Sequence, residues 1–348
     1  MKSVINLILM LTLPFFSIYE KQDISEFVSQ MPLVSPNNSE KQRQSITFIL
    51  GEDKEMDNRY YQMAEAYYRS NAETKNDLLI TTCRSLKSVR DYLENHPADG
   101  EQAWGKVNLV VHSNEWKGLA VPVLESGTRA TYSILAKAIE EGKFMPVDAK
   151  ILDNESEIVV LGCGFGKNKA FMKLIGEAFN GKNVVCSKVS ASEYFIMYDD
   201  SGEVPARYEA DCFYGFFKTG YRPSDFSLTE QLSSRYPNQA IEWEAALSRK
   251  TPRFPGDVYH YFFNVPVKWV VTYPSKTERP KLNNKKAKEK WLAKQTELIE
   301  AIQKTNIPMD KFRWRFKNTN YTFEDGTTEA AIVVEGKASV LCVLRARV

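Results

Sequence analysis

Two side chains able to do covalent chemistry stand at corresponding points of two similar segments: His112 and Cys163, 163 − 112 = 51 residues apart, each directly after an apolar run. A cysteine peptidase needs a thiolate as nucleophile and an imidazole that favours the thiolate and then protonates the departing amine. Gly162 and Gly164 flank the cysteine, so the backbone can turn sharply there and present amides to a developing oxyanion. The same residues also fit a glycine-rich loop between strand and helix, of the kind that holds S-adenosylmethionine or a phosphate. Three departures weaken that alternative. Lys167 stands where the dinucleotide fingerprint has its last glycine, Leu161 and Asn168 stand where a phosphate loop has Gly and Ser or Thr, and Ser187 and Lys188 replace a ribose-binding acid. His96, His112 and His260 have no zinc-type spacing to the five cysteines, so no metal and no other cofactor is expected. Cys83, Cys163, Cys186, Cys212 and Cys342 are too scattered for a disulfide framework, and their odd number leaves a free thiol.

The elements that must position this pair follow from the periodicity. Short β-rich runs occur at Ile46 to Leu50, Asp77 to Thr82, Val107 to Val111, Glu157 to Leu161 and from Asn183 to Cys186. Between them, apolar residues recur at helical spacing from Tyr60 to Tyr68, Leu86 to Leu93, Tyr132 to Ile139 and Phe171 to Phe179. Apolar strands alternating with amphipathic helices predict an α/β fold: a mainly parallel sheet covered on both faces, in three layers. Sites in such sheets lie at the carboxyl ends of the strands, where His112 and Cys163 both fall.

At these residues the chain resembles a known family. VNLVVHSNEW (107–116) followed by EIVVLGCGFGKN (157–168) is similar to the caspase-like fold shared by caspases, gingipains, clostripain, separase and the self-processing cysteine protease domains of bacterial toxins. The toxin, gingipain and separase type is the nearest in pattern, and NVVCSKVSASEY (183–194) resembles the strand that contributes to the substrate cleft in the toxin domains. The resemblance covers about residues 45–200. It implies Cys163 as nucleophile, His112 as general base and acid, and the Gly164 amide in the oxyanion hole, acting on a protein or peptide substrate. One departure matters: the family usually has Gly after the histidine, and this chain has Ser113. Two further readings stand beside the peptidase: a catalytically silent caspase-like binding module of the cell envelope, and, as a minor alternative, the methyltransferase loop above. A Cys or His at a strand end is also an ordinary core residue.

The rest of the chain sets the context. Lys2 followed by the apolar run Val4 to Ile18 has the order of a secretory signal, with an uncleaved membrane anchor as the alternative, and either places the protein outside the cytosol or in the envelope. Residues 1–22 are assigned to this segment, 23–44 to a polar linker, 45–250 to the caspase-like domain and 251–348 to a C-terminal α+β segment. That segment carries a long run at Val258 to Tyr273, a charged helix near Lys285 to Lys304, an alternating strand Phe312 to Phe316 and a hairpin expected to turn at Gly336-Lys337. It reads equally as a small domain or as an antiparallel extension of the main sheet. In its strand, Lys311, Arg313, Arg315 and Lys317 form a basic row opposite Phe312, Trp314 and Phe316, a pattern expected of a solvated face over a core. With 46 basic and 44 acidic side chains among 348 residues, the formal charge of +2 gives no general case for nucleic-acid binding. Contact with a membrane is expected only through the N-terminal segment.

Overall fold

The apolar runs of the first half pair side by side as one parallel sheet. The structure, a computed structural model, describes residues 3–4, 43–53, 59–71, 77–99, 102–181, 187–250, 257–323 and 325–347. After a two-residue strand β1 (Ser3–Val4) come β2 (Ser45–Ile49), α1 (Tyr60–Ser70), β3 (Leu78–Ile80), α2 (Leu86–Asn95) and β4 (Lys106–Val110). The hairpin β5 (Ser113–Asn114) and β6 (Gly118–Leu119) follows, then α3 (Tyr132–Glu140), β7 (Glu157–Leu161), α4 (Lys169–Asn180) and β8 (Lys188–Ala191). The sheet order is β3-β2-β4-β7-β8, with every neighbouring pair parallel.

Strand alternation divides the side chains between two covers. Ile46, Phe48, Val107, Leu109, Ile158 and Val160 face one way and pack on Leu86, Leu93, Leu135, Phe171 and Phe179 of α2, α3 and α4. Ile49, Val110 and Leu161 face the other way, against Tyr60, Tyr61 and Ala64 of α1. The fold is therefore α/β with helices on both faces of a five-stranded parallel sheet. Local chemistry starts the helices. Asp53 accepts from the Tyr61 and Gln62 amides at 3.1 and 3.0 Å, Ser85 and Ser88 form a reciprocal capping box on α2, and Asn168 accepts from Phe171 N–H to cap α4. The strand expected from Asn183 lies outside the described residues as far as Cys186; the described strand begins at Lys188.

The second half builds its own sheet rather than extending the first. It contains β9 (Phe195–Asp199), β10 (Ala206–Lys218), α5 (Asp225–Arg235), α6 (Trp243–Leu247), β11 (Tyr259–Tyr273), α7 (Lys285–Leu292), α8 (Thr296–Gln303), β12 (Arg313–Thr322) and β13 (Thr328–Ala346). The order is β1-β11-β13-β10-β9, with β12 also on β13, and all pairs are antiparallel. β9 and β10 precede residue 251, so the change of sheet falls shortly before Phe195. Two local expectations are corrected. The hairpin turns at Gly326, with φ of +83°, and not at Gly336, which lies inside β13 under the Trp314 ring. The single charged helix is two, α7 and α8, separated at residues 293–295. Ser3 and Val4 pair with Val271 and Val270; apart from these two residues, the segment assigned to a signal or anchor lies outside the described residues, as does most of the linker. No helix among the described residues is long and apolar enough to cross a membrane.

Candidate functional site

β4 and β7 are parallel neighbours in the register Val110↔Leu161. The ladder continues past both strands: Val111 N–H donates to the Leu161 carbonyl at 3.2 Å, and Ser113 Oγ donates to the Cys163 carbonyl at 3.3 Å. His112 and Cys163 thus leave the same edge of the sheet from adjacent strands, as the sequence predicts. Ser113 also accounts for Gly162, since a Cβ there would meet Ser113 Oγ at 2.3 Å.

The aromatic residues of α1 close on this edge. Tyr60 stacks on the His112 ring with centroids 4.3 Å apart, and Tyr61 meets it edge-on at 4.8 Å. The His112 N–H donates to Tyr61 Oη at 3.0 Å, while the His112 carbonyl accepts from Ala120 N–H at 2.7 Å. Burial lowers the imidazole pKa to about 4, and the Arg129 charge acts in the same direction while Asp53 opposes it. The periodicity of α1 is legible in the sequence, but its role as a clamp on the histidine is not, because spacing does not reveal which strand end a helix covers.

Cys163 faces a different environment from an exposed nucleophile. Its residue is 9% exposed and belongs to the core of the second sheet with Phe195, Tyr214, Val267, Trp269 and Cys342. The thiol donates to the Ile196 carbonyl at 3.8 Å. Burial raises its pKa to about 12, only partly offset by that hydrogen bond. Tyr60, Tyr61, Tyr214, Tyr259 and Tyr261 resist ionisation first through burial, and the nearby Cys163 sulfur adds to that in each. At neutral pH the pair is therefore neutral thiol and neutral imidazole, and not the thiolate that acts as the nucleophile.

The loop after the cysteine is sealed by the chain itself. The Gly164 N–H, expected to face an oxyanion, donates to the Tyr194 carbonyl at 2.8 Å, and Gly166 N–H donates to the Ser192 carbonyl at 2.8 Å. Carbonyls of residues 192, 194 and 196 therefore receive Gly166, Gly164 and the Cys163 thiol in turn. Each glycine has a steric reason: Gly164 has φ of +64°, and a Cβ on Gly166 would lie 2.3 Å from the Ala191 carbonyl oxygen. A phosphate cradle would need these amides free, and Lys167 instead faces Glu115 at 3.7 Å and the Tyr214 ring at 5.1 Å. Comparison with protein-family models, curated proteins and solved structures finds no match to this chain.

The surroundings tie this edge to the second sheet. Trp116, from the hairpin that follows His112, packs on Tyr214 and Phe263, and its Nε1 donates to the Thr305 carbonyl at 3.0 Å. Glu115 is buried enough to raise its pKa despite Lys167 and Tyr214. The cysteines also give a result that their spacing conceals: Cys212 and Cys342 form a disulfide between β10 and β13, while Cys83 and Cys163 are free and buried. A cavity of about 260 Å³ lies on the α1 face, lined by Thr47, Asp77, Asn108, Glu157, Ser190 and Arg207. These residues belong to the starts and middles of the strands or to elements beside them, and neither His112 nor Cys163 lines the cavity. Among the described residues no group of three or more His, Cys, Asp or Glu is placed to hold a metal ion.

Proposed function

We propose that this chain is an exported, catalytically silent caspase-like module that binds a protein or peptide partner in the cell envelope. The observation that carries this reading is the state of Cys163: buried, neutral, bonded to Ile196, and followed by a Gly164 amide already engaged by Tyr194. A peptidase needs that thiol at a surface and that amide open to an oxyanion. The caspase-like assignment rests on the motif resemblance and is compatible with the parallel order of β4 and β7. Export rests on the N-terminal pattern, and the Cys212–Cys342 disulfide supports an oxidising compartment.

The peptidase remains the second reading, favoured by the register that brings His112 and Cys163 to one edge. On that reading, residues 192–196 must move aside before the thiol can act. One experiment separates the two. The folded full chain is treated with limiting iodoacetamide at about pH 6.5, where an activated thiol reacts ahead of ordinary ones, and is then incubated with a mixed peptide library. The silent reading expects Cys163 to be protected until the protein is denatured, and no hydrolysis. Fast alkylation of Cys163 in the folded state, or hydrolysis that disappears in both Cys163→Ala and His112→Ala, gives the peptidase.

A further inference from the structure

The basic row of β12 occupies an unusual position in the second sheet. β12 pairs only with β13, so its other edge has no strand on it among the described residues. Arg313, Arg315 and Lys317 are exposed and alternate with Trp314 and Phe316, which turn toward the core. The register extends the basic character inward: Arg313 stands opposite Lys337, and Arg315 stands opposite Glu335, whose other neighbour is Lys268 on β11. Lys337, Glu335 and Lys268 are exposed as well. Five cations therefore surround one carboxylate at this end of the face, the next, Glu329, lying farther along opposite Tyr321, and none of the five forms an ion pair among the described residues. Farther along the edge, the Thr319 carbonyl accepts from Arg279 Nη1 at 3.4 Å, so the open stretch is Arg313 to Lys317.

An open edge can accept a strand through main-chain hydrogen bonds. Like charges on the edge decide which strand: a basic newcomer is repelled and a neutral one gains nothing from the cations, whereas an acidic one pairs with them. Side chains on one face of a strand recur every second residue, about 6.8 Å apart. Three cations at that repeat match carboxylates at alternate positions of an extended chain.

We propose that the edge of β12 docks an extended acidic segment of a partner protein, which adds as a further strand and sets a carboxylate beside each of Arg313, Arg315 and Lys317. This surface is separate from the His112 and Cys163 edge, and the inference stands whichever reading of that edge holds. The test uses the full chain and fluorescence anisotropy with synthetic peptides. The first peptide has Glu at every second position and Thr between; the second has Gln in place of Glu; the third keeps Glu but is N-methylated at alternate amides. The first should bind, and the other two should bind about tenfold or more weakly, one for want of charge and one for want of main-chain bonds. Arg313→Gln, Arg315→Gln and Lys317→Gln together, all at exposed positions, should abolish the preference for Glu over Gln. Equal binding of the Glu and Gln peptides overturns the proposal, as does failure of the Glu peptide to bind. Equal binding of the N-methylated peptide also overturns it and leaves a face that attracts polyanions without adding a strand.

Discussion

The His112 ring, clamped by Tyr60 and Tyr61, links folding to pH. In the unfolded chain its pKa is about 6.5, and in the fold it is about 4, so between these values the unfolded state binds more protons. Stability conferred by keeping the ring neutral is present above about pH 6.5 and lost as pH falls toward 4. The full shift corresponds to about 3 kcal/mol. Urea unfolding at pH 7.5 and pH 4.5 should show a drop of this order in wild type and a smaller one in His112→Gln, which has no group to protonate; equal drops would place the imidazole in solvent. Cys163 bends the curve at the other end. Its folded pKa near 12 exceeds the free value of about 8.5, so the unfolded state loses its proton first and stability falls as pH rises above about 8.5. The sequence makes both residues candidates and shows Tyr214 among aromatic residues that either wall a cleft or pack, but it does not put tyrosines around the thiol, because Tyr214, Tyr259 and Tyr261 come from strands of the other sheet.

At the level of elements, the turn between β7 and α4 can be tested glycine by glycine. Gly164→Ala places a Cβ at φ of +64° but meets nothing nearer than 3.6 Å, so its effect is backbone strain, about 1 kcal/mol. Gly166→Ala drives a Cβ to 2.3 Å from the Ala191 carbonyl oxygen and 2.7 Å from the Ser192 backbone, neither of which is a flexible side-chain end. Thermal melts should therefore rank Gly166→Ala well below Gly164→Ala; the reverse order would mean that residues 191–192 do not lie against the loop. The parallel strands and their helices are legible in advance because continuous apolar runs and helical spacing are local signals. The errors sit where a local signal has two structural causes. Gly336 resembles a turn residue, but it is glycine inside a strand because the Trp314 ring comes within 2.4 Å of where a Cβ would be. The aromatic residues after Tyr208 divide between two cores, Phe213 and Phe217 against α5 and α6, and Tyr214 and Phe216 toward Cys163, a division that only strand alternation in a known sheet can supply.

For the whole molecule, the question is what holds the long antiparallel sheet to itself. β13 is paired on both sides, with β11 along one flank and with β12 and then β10 along the other, so without it only the β1–β11 and β9–β10 pairs of the second sheet would remain. The Cys212–Cys342 bond crosses the β10 and β13 pair, with Cα atoms 5.8 Å apart and a sequence separation of 130 residues. Closing a loop of that length removes conformational freedom from the unfolded chain worth about 5 kcal/mol on the chain-entropy account. Reduction by dithiothreitol should lower the melting temperature, and the paired change Cys212→Ser with Cys342→Ser should lower it similarly and remove any further response to the reductant. Each single change should match the double one, because either removes the same crosslink. Circular dichroism should show the loss as one transition, since Trp116 fastens the His112 hairpin to Tyr214, Phe263 and the Thr305 carbonyl and so couples the two sheets. Adding Trp116→Ala to the reduced protein should split that transition, with near-ultraviolet signal from the aromatic-rich second sheet lost first. A single transition in the reduced Trp116→Ala protein would show instead that the sheets are coupled by the wider contact around Cys163 and Ile196, and that the tryptophan is not the fastening.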